Sequence, residues 1–230
     1  MNETMKEVIW TANQLFNRGL VTGSTGNISF RDGDQVYISK SGGCFGRLDE
    51  NGFARVALDG TILEGKPSKE YPLHLVMYRA SEENQVIIHT HSFYATLISC
   101  LKDKEKAFAG LYAYTPYLNM KTGGMLKAVS YHKPGSKELF EAFESAQDNK
   151  TKLYFLNNHG VVLEIQLCLI ILGGLKCFKQ LFASRLMIRH RFQHSACLHI
   201  QIKMCIRDRY IIAAKTLTMV MAADNSCGIL

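Results

Sequence analysis

Three short stretches hold the residues best suited to chemistry. The apolar segment Gln85-Val86-Ile87-Ile88 ends in His89-Thr90-His91. On an extended chain residues i and i+2 project to one side, so both imidazoles face a common point, about 6–7 Å apart along the strand. That spacing suits two nitrogens gripping one ion at about 2.0–2.1 Å each. The strand-like Lys152–Leu156 runs in the same way into Asn157-Asn158-His159-Gly160. Pro67-Ser68-Lys69-Glu70 enters a helix, with Ser68 as the expected N-cap and Glu70 in the first turn, where a carboxylate also serves the helix dipole. Singly, these read as histidines at a strand end, a polar turn and a helix start. Together, three histidines and a carboxylate complete a tetrahedral zinc shell. A carboxylate able to leave the metal opens a position for substrate and becomes a base. His74, one turn beyond Glu70, is expected to pack or to support a ligand from behind.

Two turns offer a different chemistry. Gly23-Ser24-Thr25-Gly26-Asn27 and Ser39-Lys40-Ser41-Gly42-Gly43 present small residues, backbone N–H groups and hydroxyls. Such nests bind phosphate or carboxylate oxygens, and Ser68 at a helix start adds a third donor. The bland reading is two ordinary turns; neither is a P-loop or a dinucleotide fingerprint.

The elements that must position these residues follow from pattern. Met5, Val8, Ile9, Ala12, Leu15 and Phe16 recur at helical spacing, with Asn2 to cap the start and Gly19 to end it. Strands are expected at 27–31, 35–39 and 53–58, joined by Asp-Gly and Gly-rich turns that suit antiparallel hairpins. A helix over 68–79, a strand over 85–90 and a helix from Ser92 come next. A charged turn (102–106), a tyrosine-rich loop (111–117), a glycine pair (123–124), a helix near 136–147 and a strand over 152–156 complete the series. Mixed strands and helices point to an α/β sandwich rather than a purely parallel sheet.

Composition divides the chain. Of 230 residues, 47% are hydrophobic and 20% charged, and the net charge is +7. Residues 1–164 hold 18 basic and 18 acidic side chains; the last 66 residues hold 9 basic and 2 acidic. Five of seven cysteines follow residue 164, and all four prolines precede it. The charge excess therefore marks a boundary rather than a nucleic-acid or membrane partner. No apolar run reaches the roughly 18 residues of a membrane span, and no basic-then-apolar leader opens the chain. Cys44 and Cys100 offer no disulfide framework, so a reducing cytoplasm is the expected compartment.

The ordered series S-T-G-N-I-S, S-K-S-G-G, P-S-K-E, H-T-H-S and N-N-H-G resembles the class II aldolase/adducin family over about residues 4–164. The resemblance implies a three-layer α/β/α sandwich around a mainly antiparallel sheet. It implies one zinc per subunit on Glu70, His89, His91 and His159, and a phosphate pocket on Gly26, Asn27, Ser41, Gly42 and Ser68. Lys69 stands where fuculose-type aldolases tend to carry a second serine. Ser68-Lys69-Glu70, Gly46-Arg47-Leu48-Asp49, Thr115-Pro116-Tyr117 and Met120 look more like the 3-oxo-tetronate 4-phosphate decarboxylases within that family. The implied substrate is a small phosphorylated sugar acid, the assembly a homotetramer, and nucleic acid and membrane are not partners.

The implied reaction is loss of CO2 beside a ketone, giving dihydroxyacetone phosphate through an enediolate that zinc stabilises as a Lewis acid. Glu70 would shuttle the quenching proton. Tyr117 is the candidate proton donor, or else one of ten tyrosines packing in a loop. Lys69 pairs with the departing carboxylate, or is simply solvated. The alternatives are a sugar-phosphate aldolase reaching the same enediolate by expelling an aldehyde, and a non-catalytic interaction domain of the adducin type.

Residues 165–230 match none of this. Their histidines and cysteines fit no zinc spacing and their arginines lack aromatic interleaving. Met204-Cys205-Ile206-Arg207-Asp208-Arg209 resembles the translation of a transposon-end sequence used in preparing DNA libraries. The expectation is a frameshifted or chimeric tail replacing the helices that would finish the domain.

Overall fold

The computed structural model describes residues 3–103, 108, 122, 126–148 and 150–165, all within one compact unit, Met1–Ala183. The tyrosine-rich loop with Tyr117, Met120, the glycine pair and the tail beyond Ile165 lie outside the described residues, as does the cap residue Asn2.

Among the described residues eight strands form one sheet: β1 (Asn27–Asp32), β2 (Gln35–Ser39), β3 (Phe53–Ala57), β4 (Ile62–Glu64), β5 (Val86–Thr90), β6 (Lys127–Val129), β7 (Leu153–Leu156) and β8 (Gly160–Ile165). Their order is β4-β3-β2-β1-β5-β8-β7-β6. Among the described residues only β6 with β7 pairs in parallel. Short turns join β1 to β2, β3 to β4 and β7 to β8, which favours antiparallel pairing there.

Helices cover both faces. Alternate residues of the strands (Val36, Ile38, Val56, Ile87, Tyr154, Val162) join one apolar cluster with α2 (Tyr71–Ala80) and α4 (Lys137–Ala146), through Leu73, Val76, Met77, Leu139 and Phe143. The helix α1 (Glu3–Asn17) packs on β1, burying Val8, Thr11, Ala12 and Leu15 at helical spacing. The helix α3 (Phe93–Ser99) packs on β7 and β8. The outcome is the expected three-layer sandwich.

The expected elements recur, but the start of α2 moves and three strands, β4, β6 and β8, are not among the expected ones. Helix α2 begins at Tyr71 rather than Ser68, and Glu70 occupies the N-cap position. Pro72 accounts for the shift. A proline lacks an N–H and is tolerated only in the first helical turn, so the helix starts no earlier than about residue 70. Ser68 and Glu70 are thereby released from capping, their side chains free for the site. The strand β8 was not anticipated, although Val161-Val162-Leu163 directly follows the His159-Gly160 turn. It lies between β5 and β7, with Thr90 opposite Val161 and Leu156 opposite Gly160.

Candidate metal centre

One end of the sheet collects the chemistry. Antiparallel pairing brings the start of β1, the end of β2, the end of β5 and the start of β8 to the same edge. Asn27 stands opposite His89 in the β1–β5 ladder. Gly26, with φ of +79°, leads into it; a Cβ there would stand 2.6 Å from the His89 carbonyl oxygen. Only glycine permits that backbone approach.

Glu70, His89, His91 and His159 converge, each offering one ligand atom within 4.8 Å of the others. Glu70 Oε2 is 3.2 Å from His89 Nε2 and 3.9 Å from His91 Nε2, and Glu70 Oε1 is 3.2 Å from His159 Nε2. His91 Nε2 lies 2.9 Å from His89 Nε2 and 3.1 Å from His159 Nε2. Donors about 2.0–2.1 Å from a tetrahedral centre stand about 3.4 Å apart, close to these separations. Side-chain exposure is 0% for His89, 4% for Glu70 and 3% for His159, but 34% for His91. The cluster therefore opens to solvent on the His91 side.

The protons argue for a cation. His89 Nδ1 donates to the Val161 carbonyl at 3.0 Å, which leaves its Nε2 a lone pair directed at the cluster. Burial, then the neighbouring His89 and His159, lower His91 to about 4, so it is neutral near pH 7. Burial opposes ionisation of Glu70, yet the neighbouring His159 and His89 hold its carboxyl well below the usual range. Glu70 Oε1 is buried without a hydrogen-bond partner. Lone pairs and a carboxylate facing one another in a buried space are a costly arrangement that a divalent cation resolves. The donor set of three imidazoles and one carboxylate fits zinc. The His159 backbone is tied in place by Thr96 Oγ1, which donates to its carbonyl at 3.2 Å.

The two glycine-bearing turns adjoin this centre. Ser41 N donates to Lys66 O at 3.0 Å and Ser68 N to Ser39 O at 3.1 Å, so the Ser39–Gly43 turn, with Ser41 and Gly42, lies against Lys66–Ser68. Asn27 Nδ2 donates to Ser68 Oγ at 3.0 Å. Lys69 is exposed; its methylenes lie over Gly135, where a Cβ would be 3.1 Å from Lys69 Cδ. Its charge is among the influences that lower His91. Two partners went unnoticed in the sequence. Ser29 and Tyr78 hydrogen bond to each other at 2.8 Å, and Ser29 Oγ lies 2.7 Å from His74 Nδ1. Their signal was a serine amid the apolar β1 residues, and the four-residue spacing of His74 and Tyr78 on α2.

A model of the Class II Aldolase and Adducin N-terminal domain matches residues 6–163. The chain is 36% identical over 162 residues to 3-oxo-tetronate 4-phosphate decarboxylase of Escherichia coli (strain K12), covering 69% of this chain and 74% of that protein. It is also 36% identical over 159 residues to L-fuculose phosphate aldolase of Methanocaldococcus jannaschii, covering 68% of this chain and 81% of that protein. Both names describe carbon–carbon lyases. The crystal structure of YgbL from Klebsiella pneumoniae has a TM-score of 0.70 and 26% identity, covering 84% of this chain and 90% of that one. No described helix is long and apolar enough to cross a membrane. With most of its length matched by one family model, and a sheet edge that gathers that region's polar residues, the chain belongs to the class II aldolase and adducin family.

Proposed function

We propose that the chain is a zinc-dependent lyase that decarboxylates a 3-oxo-tetronate 4-phosphate to dihydroxyacetone phosphate and CO2. The observation that carries this reading is the convergence of Glu70, His89, His91 and His159 beside two glycine-bearing turns. The relatives named for this decarboxylation, at 36–37% identity, support the substrate class.

Glu70, His89, His91 and His159 would hold the cation, which supplies Lewis-acid stabilisation for negative charge developing on the substrate oxygens. The remaining work falls to the chain. Gly26, Asn27, Ser41, Gly42 and Ser68 bind the phosphate, remote from the bond that breaks, so their binding energy fixes position. Lys69 faces the carboxylate that departs. Cleavage of the bond between that carboxylate and the neighbouring carbon leaves the electron pair delocalised as an enediolate, and a proton returned to that carbon completes dihydroxyacetone phosphate. Glu70 shuttles this proton: its carboxylate takes one up from Tyr117 or solvent and passes it from the buried Oε1 to the carbon. Tyr117 is proposed as a second proton donor. The catalytic unit is proposed to end near residue 164, to act in the cytoplasm and to assemble as a homotetramer.

A second reading has a specific basis. An aldolase-named relative matches at the same 36% identity, and retro-aldol cleavage reaches the same enediolate. Product analysis separates the two. Decarboxylation releases CO2 from the tetronate phosphate; an aldolase instead releases aldehyde from a ketose phosphate and leaves the tetronate phosphate intact.

A further inference from the structure

A chain of buried hydrogen bonds runs from the middle of α2 to the anion pocket. Tyr78 and Ser29 are joined at 2.8 Å, Ser29 and His74 Nδ1 at 2.7 Å, and His74 Nε2 meets Asn27 Oδ1 at 2.5 Å. Asn27 Nδ2 then donates to Ser68 Oγ at 3.0 Å. Tyr78, Ser29, His74 and Asn27 are each at most 3% exposed.

The direction of the chain follows from what each group can offer. Asn27 Oδ1 is only an acceptor, so His74 Nε2 must carry a proton. His74 is neutral, because burial lowers it to about 3, so Nδ1 is then a lone pair and accepts from the Ser29 hydroxyl. Ser29 Oγ accepts in turn from Tyr78. Ser68 Oγ accepts from Asn27 Nδ2 and, at 3.4 Å, from Glu70 N. Its two acceptor positions are filled, and its own proton is left to donate outward, beside the second N–H of Asn27.

We infer that His74 is a positioning residue for anion binding: its Nε2–H holds the Asn27 amide in the one orientation that points N–H, and not carbonyl oxygen, at the substrate phosphate. This inference rests on the phosphate reading of Asn27 and Ser68. With the imidazole donor gone, Asn27 Oδ1 loses its buried partner, and nothing holds the amide against turning over. A carbonyl oxygen would then face the anion, and Ser68 would turn its proton inward to that oxygen.

The test combines inorganic phosphate binding by calorimetry with kcat and KM for the tetronate phosphate, using the full-length protein. His74→Phe is expected to weaken phosphate about tenfold or more and to raise KM in parallel, with kcat within about threefold and zinc content unchanged. His74→Gln, which restores an N–H donor, is expected to recover part of the loss. Should His74→Phe fail to fold, Ser29→Ala tests the same chain from the strand, with a smaller loss of phosphate affinity in the same direction. A folded, zinc-loaded His74→Phe or Ser29→Ala protein with wild-type phosphate affinity overturns the inference, as does a loss confined to kcat. Asn27→Ala separates the two claims. If it leaves phosphate binding intact, the pocket reading itself fails; if it weakens binding while the His74 and Ser29 variants do not, only the role of His74 fails.

Discussion

Gly26→Ala probes how closely the site depends on backbone approach. The new Cβ would stand 2.6 Å from the His89 carbonyl oxygen, where ordinary contact begins at about 3.4 Å. The start of β1 must therefore retreat from β5 by about 0.8 Å. The positive φ of +79° adds roughly 1–2 kcal/mol of backbone strain for a residue with a side chain. Together these lower stability by about 2–4 kcal/mol, or roughly 5–10 °C in Tm for a chain of this size. The functional effect follows from register. Asn27 is next in sequence and pairs opposite His89, so the proposed phosphate anchor moves relative to the metal centre. A misplacement near 1 Å costs up to about a hundredfold in rate. Thermal denaturation, zinc content and kcat/KM are measured on Gly26→Ala and on Gly23→Ala. Gly23 has φ of +58° but nothing within 4 Å of its missing Cβ, so it isolates the strain alone. The expected result is a small Tm loss for Gly23→Ala, and for Gly26→Ala a larger loss with kcat/KM down 10- to 100-fold at full zinc content. Equal Tm and activity in the two variants would refute the reasoning.

Lys69→Ser is expected to reduce CO2 release about tenfold while leaving Tm and zinc content unchanged, because the side chain is exposed and the carboxylate loses its cation; coupled CO2 and metal assays check this. His74 gives a pH dependence of stability. Its folded pKa lies near 3 and its ordinary value is 6.5, so the unfolded chain binds the proton more tightly. Its contribution is complete above about pH 6.5 and is lost as pH falls toward 3, at up to ~1.4 kcal/mol per pH unit. Urea denaturation between pH 7 and 5 is expected to show a shallower slope for His74→Gln than for wild type. Lys152→Met leaves the Glu164 carboxylate, whose side chain is 1% exposed, without its 3.0 Å partner, and is expected to cost about 3 kcal/mol in the same assay at pH 7.

Much of the metal centre was legible because its residues sit at element ends. His89 and His91 share a side through the two-residue strand period, and His159 follows an apolar strand with a glycine behind it. The convergence of three separate stretches was not legible from spacing alone, since strand order decides it; that step rested on the ordered motifs and the family they resemble. The start of α2 was misread because Ser68 looks like an N-cap, while the constraint that decides the boundary lies at Pro72. The strand β8 was missed because Gly160–Ile165 lacks the flanking turn that would close it, and its neighbours β5 and β7 are far away in sequence. The hydrogen-bonded path from Tyr78 to Asn27 joins residues 27, 29, 74 and 78. Such a path becomes visible only once α2 is laid across β1.

Zinc bound per chain, measured by elemental analysis after dialysis against a weak chelator, tests the metal centre most directly. Wild type is expected to retain about one zinc per folded chain, and His89→Ala, which removes a fully buried ligand, close to none. Equal zinc in the two folded proteins, or none in either when zinc is supplied in excess, would contradict the assignment of Glu70, His89, His91 and His159 to a common ion.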